Sequence, residues 1–356
     1  NVAHRYLTSG QPVLVYDNLS RPGVERNFEW LRRQHGDLVR IEVADVRDAA
    51  RLRAAARQAG RVFHLAAQVA VTTSLADPIH DFEVNARGTL NLLEALREMA
   101  NPPPLIFTST NKVYGDLAEV KLRLRQDRFE PEEAEARVHG FGEDRPLHFH
   151  SPYGCSKGAA CQYVMDYART FGLPTVVFRM SCIYGWHQFG NEDQGWVAHF
   201  LLQALADEPI TIYGDGRQVR DILFIEDLVD AMLLAQARME VLAGQAFNLG
   251  GGQANTISLR ELIALIGELE GRQPPIVFDD WRQADQRYYE SDIRKFAAAT
   301  GWRPMVGVRE GVRGLWQWLR ENRLPAEIPL SAKPGLVLKP EAVATGPGLN
   351  GESRIK

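Results

Sequence analysis

The segment 151–164, SPYGCSKGAACQYV, places Tyr153 and Lys157 four residues apart. On a helix this spacing puts the phenol and the ammonium on one face, one turn apart. A cation at that distance favours the phenolate, which can accept a proton from an alcohol. The spacing alone is weak, because ten tyrosines and seven lysines in 356 residues give about 0.2 such pairs by chance. A solvent-facing pair is the ordinary alternative.

Hydroxyl side chains precede this pair at the end of an apolar run. The run PLIFTST at 104–110 finishes with Thr108, Ser109 and Thr110. A hydroxyl at the end of a strand together with Tyr-x-x-x-Lys is much more specific than either feature alone. The combination suits oxidation of an alcohol beside a dinucleotide, provided that the surrounding elements form a dinucleotide-binding fold.

The elements that must position these side chains are visible as short apolar runs separated by helical patterns. Their near-continuous apolar character predicts strands buried on both faces and therefore a parallel sheet. The segment 82–100 between two of them has apolar residues at helical spacing. This alternation predicts an α/β protein with a doubly wound parallel sheet. The runs are 12–17, 39–45, 61–67, 104–110 and 175–180.

Ligands of doubly wound sheets bind beyond the carboxyl ends of the strands, so residues at those ends are candidate cofactor contacts. The carboxylate of Asp17 could accept both ribose hydroxyls of an adenosine and would repel a 2′-phosphate, which favours NAD over NADP. A turn-forming aspartate is the alternative. Asp45 could accept from an adenine amino group. Ala66 and Ala67 would let a flat or phosphorylated ligand approach the backbone, with tight packing as the alternative.

Charge and cysteine content exclude several classes of protein. The formal net charge is −4, which gives no reason to expect a nucleic acid or an anionic membrane as partner. No apolar run is as long as a membrane span. Cys155, Cys161 and Cys182 have neither a metal-binding spacing nor the even number of a disulfide set. We therefore expect no metal and a reducing, cytoplasmic setting.

The second half of the chain has a different organisation. Residues 1–179 are expected to form the first domain, which binds the dinucleotide. The sequence of residues 180–323 predicts mainly a smaller α/β lobe that binds the substrate, and some of its segments are expected to return to the first domain. A helix is expected from the capping box of Ser258 and Glu261 to a stop at Gly271. Residues 324–356 contain nine Pro and Gly and show no periodicity, so we expect a tail or linker.

Six motifs between residue 1 and about 322 resemble the extended short-chain dehydrogenase/reductases, the NAD-dependent epimerase/dehydratase family. Within it, the resemblance is to the group that epimerises CDP-linked dideoxyhexoses at C2. The motifs are DNLSR at 17–21, STNKVYGD at 109–116, FHSPYGCSKGAA at 149–160, DQGW at 193–196, GDGRQVRDIL at 214–223 and DQR at 285–287.

The resemblance implies a Rossmann-type fold, NAD as cofactor, a nucleotide-sugar substrate and a homo-oligomer. It implies that Tyr153, Lys157 and Thr110 form the catalytic group. The implied substrate-binding residues are Asn111, Gln188, Arg220 and Arg287, of which the two arginines would hold the diphosphate. The implied cofactor contacts are Asp17, Asn18, Asp45, Val46, Leu65, Ala66, Ala67, Gln68, Thr108, Tyr153 and Lys157.

Two neighbouring residues distinguish the possible activities. The related 4,6-dehydratases carry Asp-Glu after the threonine at the strand end, because elimination of water needs an additional acid and base. This chain has Asn111 and Lys112 instead, which favours reversible oxidation without elimination. A 4-epimerase of the same family and a non-catalytic nucleotide-sugar-binding module remain as alternatives.

The beginning of the sequence departs from the family pattern. NVAHRYL at residues 1–7 resembles the helix that follows the family's phosphate-binding glycine turn. The first strand and that turn are therefore expected to lie before Asn1, outside the sequence as given, which would make the first domain N-terminally truncated.

Overall fold

The computed structural model describes residues 1–322, and each of the five predicted apolar runs contains a strand. The predicted segment 324–356 lies outside the described residues. The strands are β1 Val13–Asp17, β2 Val39–Val43, β3 Val62–His64, β4 Leu105–Thr110, β5 Leu122–Arg125, β6 Arg128–Pro131, β7 Thr175–Met180, β8 Cys182–Tyr184, β9 Ile210–Tyr213, β10 Val219–Phe224, β11 Gln245–Leu249, β12 Thr256–Ser258, β13 Ile276–Asp279 and β14 Tyr288–Tyr289.

The helices fall between these strands. They are α1 Val2–Thr8, α2 Val24–His35, α3 Ala49–Ala56, α4 Val71–Ala76, α5 Pro78–Phe82, α6 Gly88–Arg97, α7 Ala134–His139, α8 Ser151–Phe171, α9 Trp196–Ala206, α10 Ile225–Ala237, α11 Met239–Leu242, α12 Leu259–Glu270, α13 Arg294–Thr300 and α14 Val308–Glu321.

A parallel sheet in the order β11–β7–β4–β3 carries the centre of the fold. Successive side chains of a strand point to opposite faces, and β4 shows how both faces are buried. Leu105 and Phe107 pack against α3, α6 and α8, whereas Ile106 packs on the other face against α10 and α11. β1 and β2 form a separate parallel pair with its own small core around Leu7 and Leu31. The sheet is therefore covered by helices on both faces, as predicted.

The predicted helix over 82–100 is interrupted in the structure. Its path consists of α5, a π-helical turn at Glu83–Arg87 and α6, which ends at Arg97. The hydroxyl of Thr89 donates to the carbonyl of Asn85 at 2.6 Å, four residues earlier. Such back-bonding competes with the regular backbone ladder and distorts helices.

The second half builds a smaller lobe and also returns to the central sheet. Its apolar core joins α9, α12 and α14 to β8 and β10. The predicted capping box is confirmed, since Ser258 Oγ accepts from Glu261 N at 3.1 Å and Glu261 Oε2 accepts from Ser258 N at 2.8 Å. β11 and α10 belong to the central sheet and its cover. Residues 1–322 form one compact unit, so the predicted domain boundary at 179/180 stays a prediction.

Candidate active site

Two regular elements bring the predicted catalytic hydroxyls together. Thr110 is the last residue of β4, whose residues are all buried. Tyr153 lies in the first turn of α8, and its hydroxyl shares a hydrogen bond with the Thr110 side chain. Close packing fixes the helix here, because a Cβ on Gly158 would lie 2.3 Å from the ring of Phe149. An alcohol of a ligand could therefore contact both hydroxyls at once.

The electrostatics of this pair differ from the sequence-based expectation. Burial raises the pKa of Tyr153 to about 12, and the hydrogen bond from Thr110 works in the opposite direction. Lys157 Nζ donates to the carbonyl of Thr108 at 2.6 Å and lies 4.4 Å from the ring centroid of Phe107. Burial lowers the pKa of Lys157 to about 8. The protein's own groups thus leave the phenol harder to ionise, and the predicted stabilisation of the phenolate by Lys157 together with a nicotinamide ring stays a prediction.

A cavity of about 460 Å³ opens beside the two hydroxyls. It lies between the end of β4 and the irregular segment 185–195, which precedes α9. Among the predicted substrate contacts, Asn111, Gln188 and Arg220 line it together with Tyr153 and Thr110. The amide of Gln188 also donates to Ile183 O at 3.1 Å, which anchors the irregular segment.

Arg287, the fourth predicted substrate contact, does not line this cavity. Its side chain is exposed and lies over the ring of Trp281, 5.1 Å from the centroid. The next two residues, Tyr288 and Tyr289, are buried in β14, and their strand fixes Arg287 on the outside. Arg282 lines the cavity instead, with its guanidinium 3.9 Å from the ring centroid of Tyr213.

Sequence reasoning missed a charged cluster in the same cavity. Asp285 Oδ1 accepts from Lys112 Nζ at 3.2 Å and from Arg220 Nη2 at 2.7 Å. Arg220 also donates to the carbonyls of Val219 and Gln286. The motifs STNKVYGD and DQR contained Lys112 and Asp285, but nothing in the sequence indicated that they meet, since 173 residues separate them.

The predicted adenosine contacts form a polar turn after β1 and β2. Asp17 Oδ1 accepts from Leu19 N at 2.8 Å, so Asp17 has the turn-forming role named above as its alternative. Asn18 Nδ2 donates to Asp45 Oδ2 at 2.9 Å. The Arg47 guanidinium bonds both oxygens of Asp45 and holds the pKa of that carboxyl well below its usual range. Val46 is buried in the sheet's core.

The predicted contacts after β3 form a loop held by buried polar side chains. Ala66 and Ala67 are half-buried and Leu65 is 47% exposed. Gln68 Nε2 donates to Asp81 Oδ1 at 2.9 Å, and Asn85 Oδ1 accepts from Gln68 N at 2.9 Å.

The next strand takes part in the same loop. Thr108 Oγ1 donates to His64 O at 3.2 Å, which ties the end of β4 to the end of β3. Asp81 and Asn85 were not predicted as site residues: Asn85 falls within the predicted helical segment 82–100, and Asp81 directly precedes it.

The donor set at the strand ends fits a dinucleotide. The carboxylate of Asp17 is suited to ribose hydroxyls, the small side chains of Ala66 and Ala67 admit a flat ligand, and the ammonium of Lys157 is suited to a second ribose. Asp17, Ala66 and Ala67 lie at or beyond the carboxyl ends of parallel strands, and Lys157 reaches the end of β4 from α8. Within residues 1–322, no group of three His, Cys, Asp or Glu could hold a metal ion. The same residues include no helix long and apolar enough to cross a membrane.

Comparison with known proteins agrees with this geometry. Residues 1–250 match the model of the NAD dependent epimerase/dehydratase family. The chain is 42% identical over 324 residues to CDP-paratose 2-epimerase of Salmonella typhi, covering 89% of this chain and 95% of that protein.

Solved structures give the same result. UDP-glucose 4-epimerase of Thermotoga maritima with UDP-glucose has a TM-score of 0.75 and 30% identity, with 90% of this chain and 94% of that chain covered. The Thermus thermophilus UDP-glucose 4-epimerase complex with NAD also has a TM-score of 0.75 and 30% identity, covering 90% and 95%. The chain belongs to the NAD-dependent epimerase/dehydratase family; it is an enzyme of this class with a Rossmann-type fold and NAD as its cofactor.

Proposed function

We propose that this enzyme is a nucleotide-sugar epimerase that inverts C2 of a CDP-linked dideoxyhexose, interconverting CDP-paratose and CDP-tyvelose. The Thr110–Tyr153 hydroxyl pair carries the proposal, because it lies in a cavity large enough for a sugar and lined by cationic side chains. The 42% identity to a CDP-paratose 2-epimerase supports the choice of sugar and carbon.

The protein's residues move a proton at one oxygen. As the phenolate, Tyr153 would accept the proton of the C2 hydroxyl, while Thr110 would hold the same oxygen by a hydrogen bond. When bound, NAD would supply a reversible acceptor for the hydride of C2, and its positive nicotinamide ring would favour the Tyr153 phenolate. Tyr153 gives its proton back to the 2-keto oxygen, so the complete reaction has no net oxidation.

The residues beside Thr110 argue against a dehydratase. Elimination of water needs a general acid and a general base near the sugar. Asn111 is an amide, and Lys112 is paired with Asp285. Asp285 itself accepts from both Lys112 and Arg220, so that carboxylate is committed to ion pairs. The arrangement supports oxidation and reduction at one carbon.

Isotope labelling tests the proposal and separates it from its rivals. CDP-paratose deuterated at C2 should keep its label in CDP-tyvelose, and unlabelled substrate in D₂O should gain no deuterium at C2. Both results are expected because the hydride does not exchange with solvent. NMR of the products provides the measurement. Incorporation of solvent deuterium at C2 would contradict a hydride mechanism, and inversion at C4 would identify a 4-epimerase.

A non-catalytic binding module is tested separately. Purified full-length protein should retain NAD, which its absorbance after denaturation would reveal. A panel of CDP-, UDP- and GDP-sugars should include at least one that is epimerised. Binding of a nucleotide sugar without conversion of any of them would favour the module.

A further inference from the structure

We propose that Lys112 is a substrate-binding residue which, together with Arg220 and positioned by Asp285, binds a phosphate of the substrate's diphosphate. The inference rests on the proposed function and deepens it, because it names a side chain that binds the phosphate next to the sugar. Arg220 was expected from the family resemblance to hold the diphosphate. Lys112 and Asp285 had no assigned role.

Geometry gives the first reason. The two cations approach the same carboxylate oxygen, Asp285 Oδ1, at 3.2 Å and 2.7 Å. Lys112 Nζ has one further acceptor among the described residues, the carbonyl of Ala284 at 3.4 Å. An ammonium has three N–H donors, so one donor of Lys112 is left for a ligand in the cavity that Lys112 lines.

The balance of charge gives the second reason. Two cations and one carboxylate leave a net charge of about +1 in a buried cluster. The side chains of Lys112, Arg220 and Asp285 are 19%, 8% and 25% exposed. Burial lowers the pKa of Lys112, which shows the cost of keeping this ammonium charged. An anionic ligand removes that cost, and a phosphate offers several acceptor oxygens to forked donors.

The position along the chain indicates which part of the substrate is bound. Lys112 follows Thr110 by two residues, at the carboxyl end of β4. The backbone N–H of Lys112 donates to Thr110 Oγ1 at 3.2 Å, so the residue that carries the ammonium is held beside the hydroxyl that would hold the sugar oxygen. A phosphate at Lys112 therefore lies next to the sugar, which can turn while its phosphate stays fixed.

Asp285 acts as a positioning residue in this arrangement. Two like charges side by side repel each other, and the shared carboxylate offsets the repulsion. Burial would raise the pKa of Asp285, but its neighbours Arg220 and Lys112 outweigh burial and keep the pKa below its usual value. Asp285 is therefore an anion at neutral pH and holds both cations at the cavity.

Calorimetric titration of the full-length protein with CDP and with cytidine tests the proposal. Replacing Lys112→Met should weaken CDP binding about 10- to 100-fold, the value of a hydrogen bond to a charged group, and leave cytidine binding unchanged. Lys112→Arg should retain most of the CDP affinity. Lys121→Met, an exposed lysine outside the cavity, provides the control for the change in net charge.

Further arms separate the possible outcomes. Circular dichroism and thermal unfolding establish that the Lys112→Met variant is folded. An equal loss of affinity for CDP and for cytidine would overturn the proposal. Unchanged affinity for both ligands would overturn it as well. UDP-glucuronate and UDP-glucose test whether the anion is a sugar carboxylate: a loss confined to the glucuronate overturns the phosphate assignment. If no sugar is epimerised but the CDP–cytidine difference depends on Lys112, only the proposed reaction fails.

Discussion

On the cofactor side, Thr110 and Tyr153 line the cavity from β4 and α8, which are regular elements packed against each other. The substrate side is assembled differently. Lys112, Arg220 and Asp285 come from three distant parts of the chain and meet through ion pairs. Backbone hydrogen bonds and apolar packing fix the first set, whereas charged side chains fix the second.

This difference predicts different sensitivities. A sheet ladder does not change with pH, and its cross-strand bonds survive the replacement of one side chain. A buried ion pair is sensitive to pH and to the replacement of one side chain, because removing the charge of one partner leaves the other charge buried without compensation. Variants on the cofactor side should therefore alter chemistry with little loss of folding, and variants on the substrate side should alter both.

The largest expected effect is on the cofactor side. Tyr153→Phe removes the proposed base and keeps the packing of its buried ring, so turnover should fall by about 10²–10⁴-fold. Thermal unfolding should change little. Steady-state assays with CDP-paratose provide the measurement, and near-normal turnover would rule out Tyr153 as the base.

The next effect concerns folding directly after β14, a few residues beyond Asp285 of the substrate side. Burial raises the pKa of Glu290 to about 7 from its ordinary value of 4.5, and the side chain is 1% exposed. Its Oε2 accepts from Tyr288 OH at 2.5 Å, just beyond the segment that carries Asp285. A carboxyl with a raised pKa stabilises the fold below pH 4.5, and this stabilisation is lost as pH rises through 7.

Glu290→Gln removes this titration. The unaltered protein should lose up to about 3 kcal/mol of unfolding free energy from this group between pH 4.5 and 7, and the variant should lose less. Denaturant unfolding at several pH values measures the slope. Glu240→Gln, at an exposed position, is the matched control. Identical slopes for all three proteins would show that Glu290 is ionised in the native state.

The same division explains what could be predicted from the sequence. Apolar runs revealed five of the fourteen described strands, and the residues at the ends of those five followed from the geometry of parallel sheets, so Thr110 and Asp17 could be placed. Lys112 and Asp285 could not be paired, because no periodicity records a contact between residues 173 positions apart. Arg287 was chosen from a motif, but the direction of its side chain depends on β14, a strand of only two residues.

Thr110→Val tests the contact between the two hydroxyls. The Thr110 hydrogen bond lowers the pKa of Tyr153, so its loss should raise that pKa further. A base acts when deprotonated, so the acidic limb of the pH profile of kcat/KM should move to higher pH, and turnover at neutral pH should fall about tenfold. An unchanged limb would mean that Thr110 contributes only to packing.

The smallest expected effect lies at the far end of the cofactor side, where Asp17 has two possible roles. Its Oδ1 caps Leu19 N in a turn, and its negative charge would repel a 2′-phosphate. Asp17→Asn separates the roles, because an asparagine oxygen can still accept in the turn but carries no charge.

In Asp17→Asn, the ratio of the dissociation constants for NADP and NAD should therefore fall by a few-fold to about tenfold, and thermal stability should not change. Asp17→Ala should narrow it similarly and also destabilise the turn. Fluorescence titration of both cofactors gives the two dissociation constants, and Asp37→Ala, at an exposed position, serves as control. Equal affinity of the unaltered protein for the two cofactors would mean that Asp17 only stabilises the turn. Selectivity would then have to come from elsewhere in the polar turn, where Asn18 and Asp45 are the next candidates.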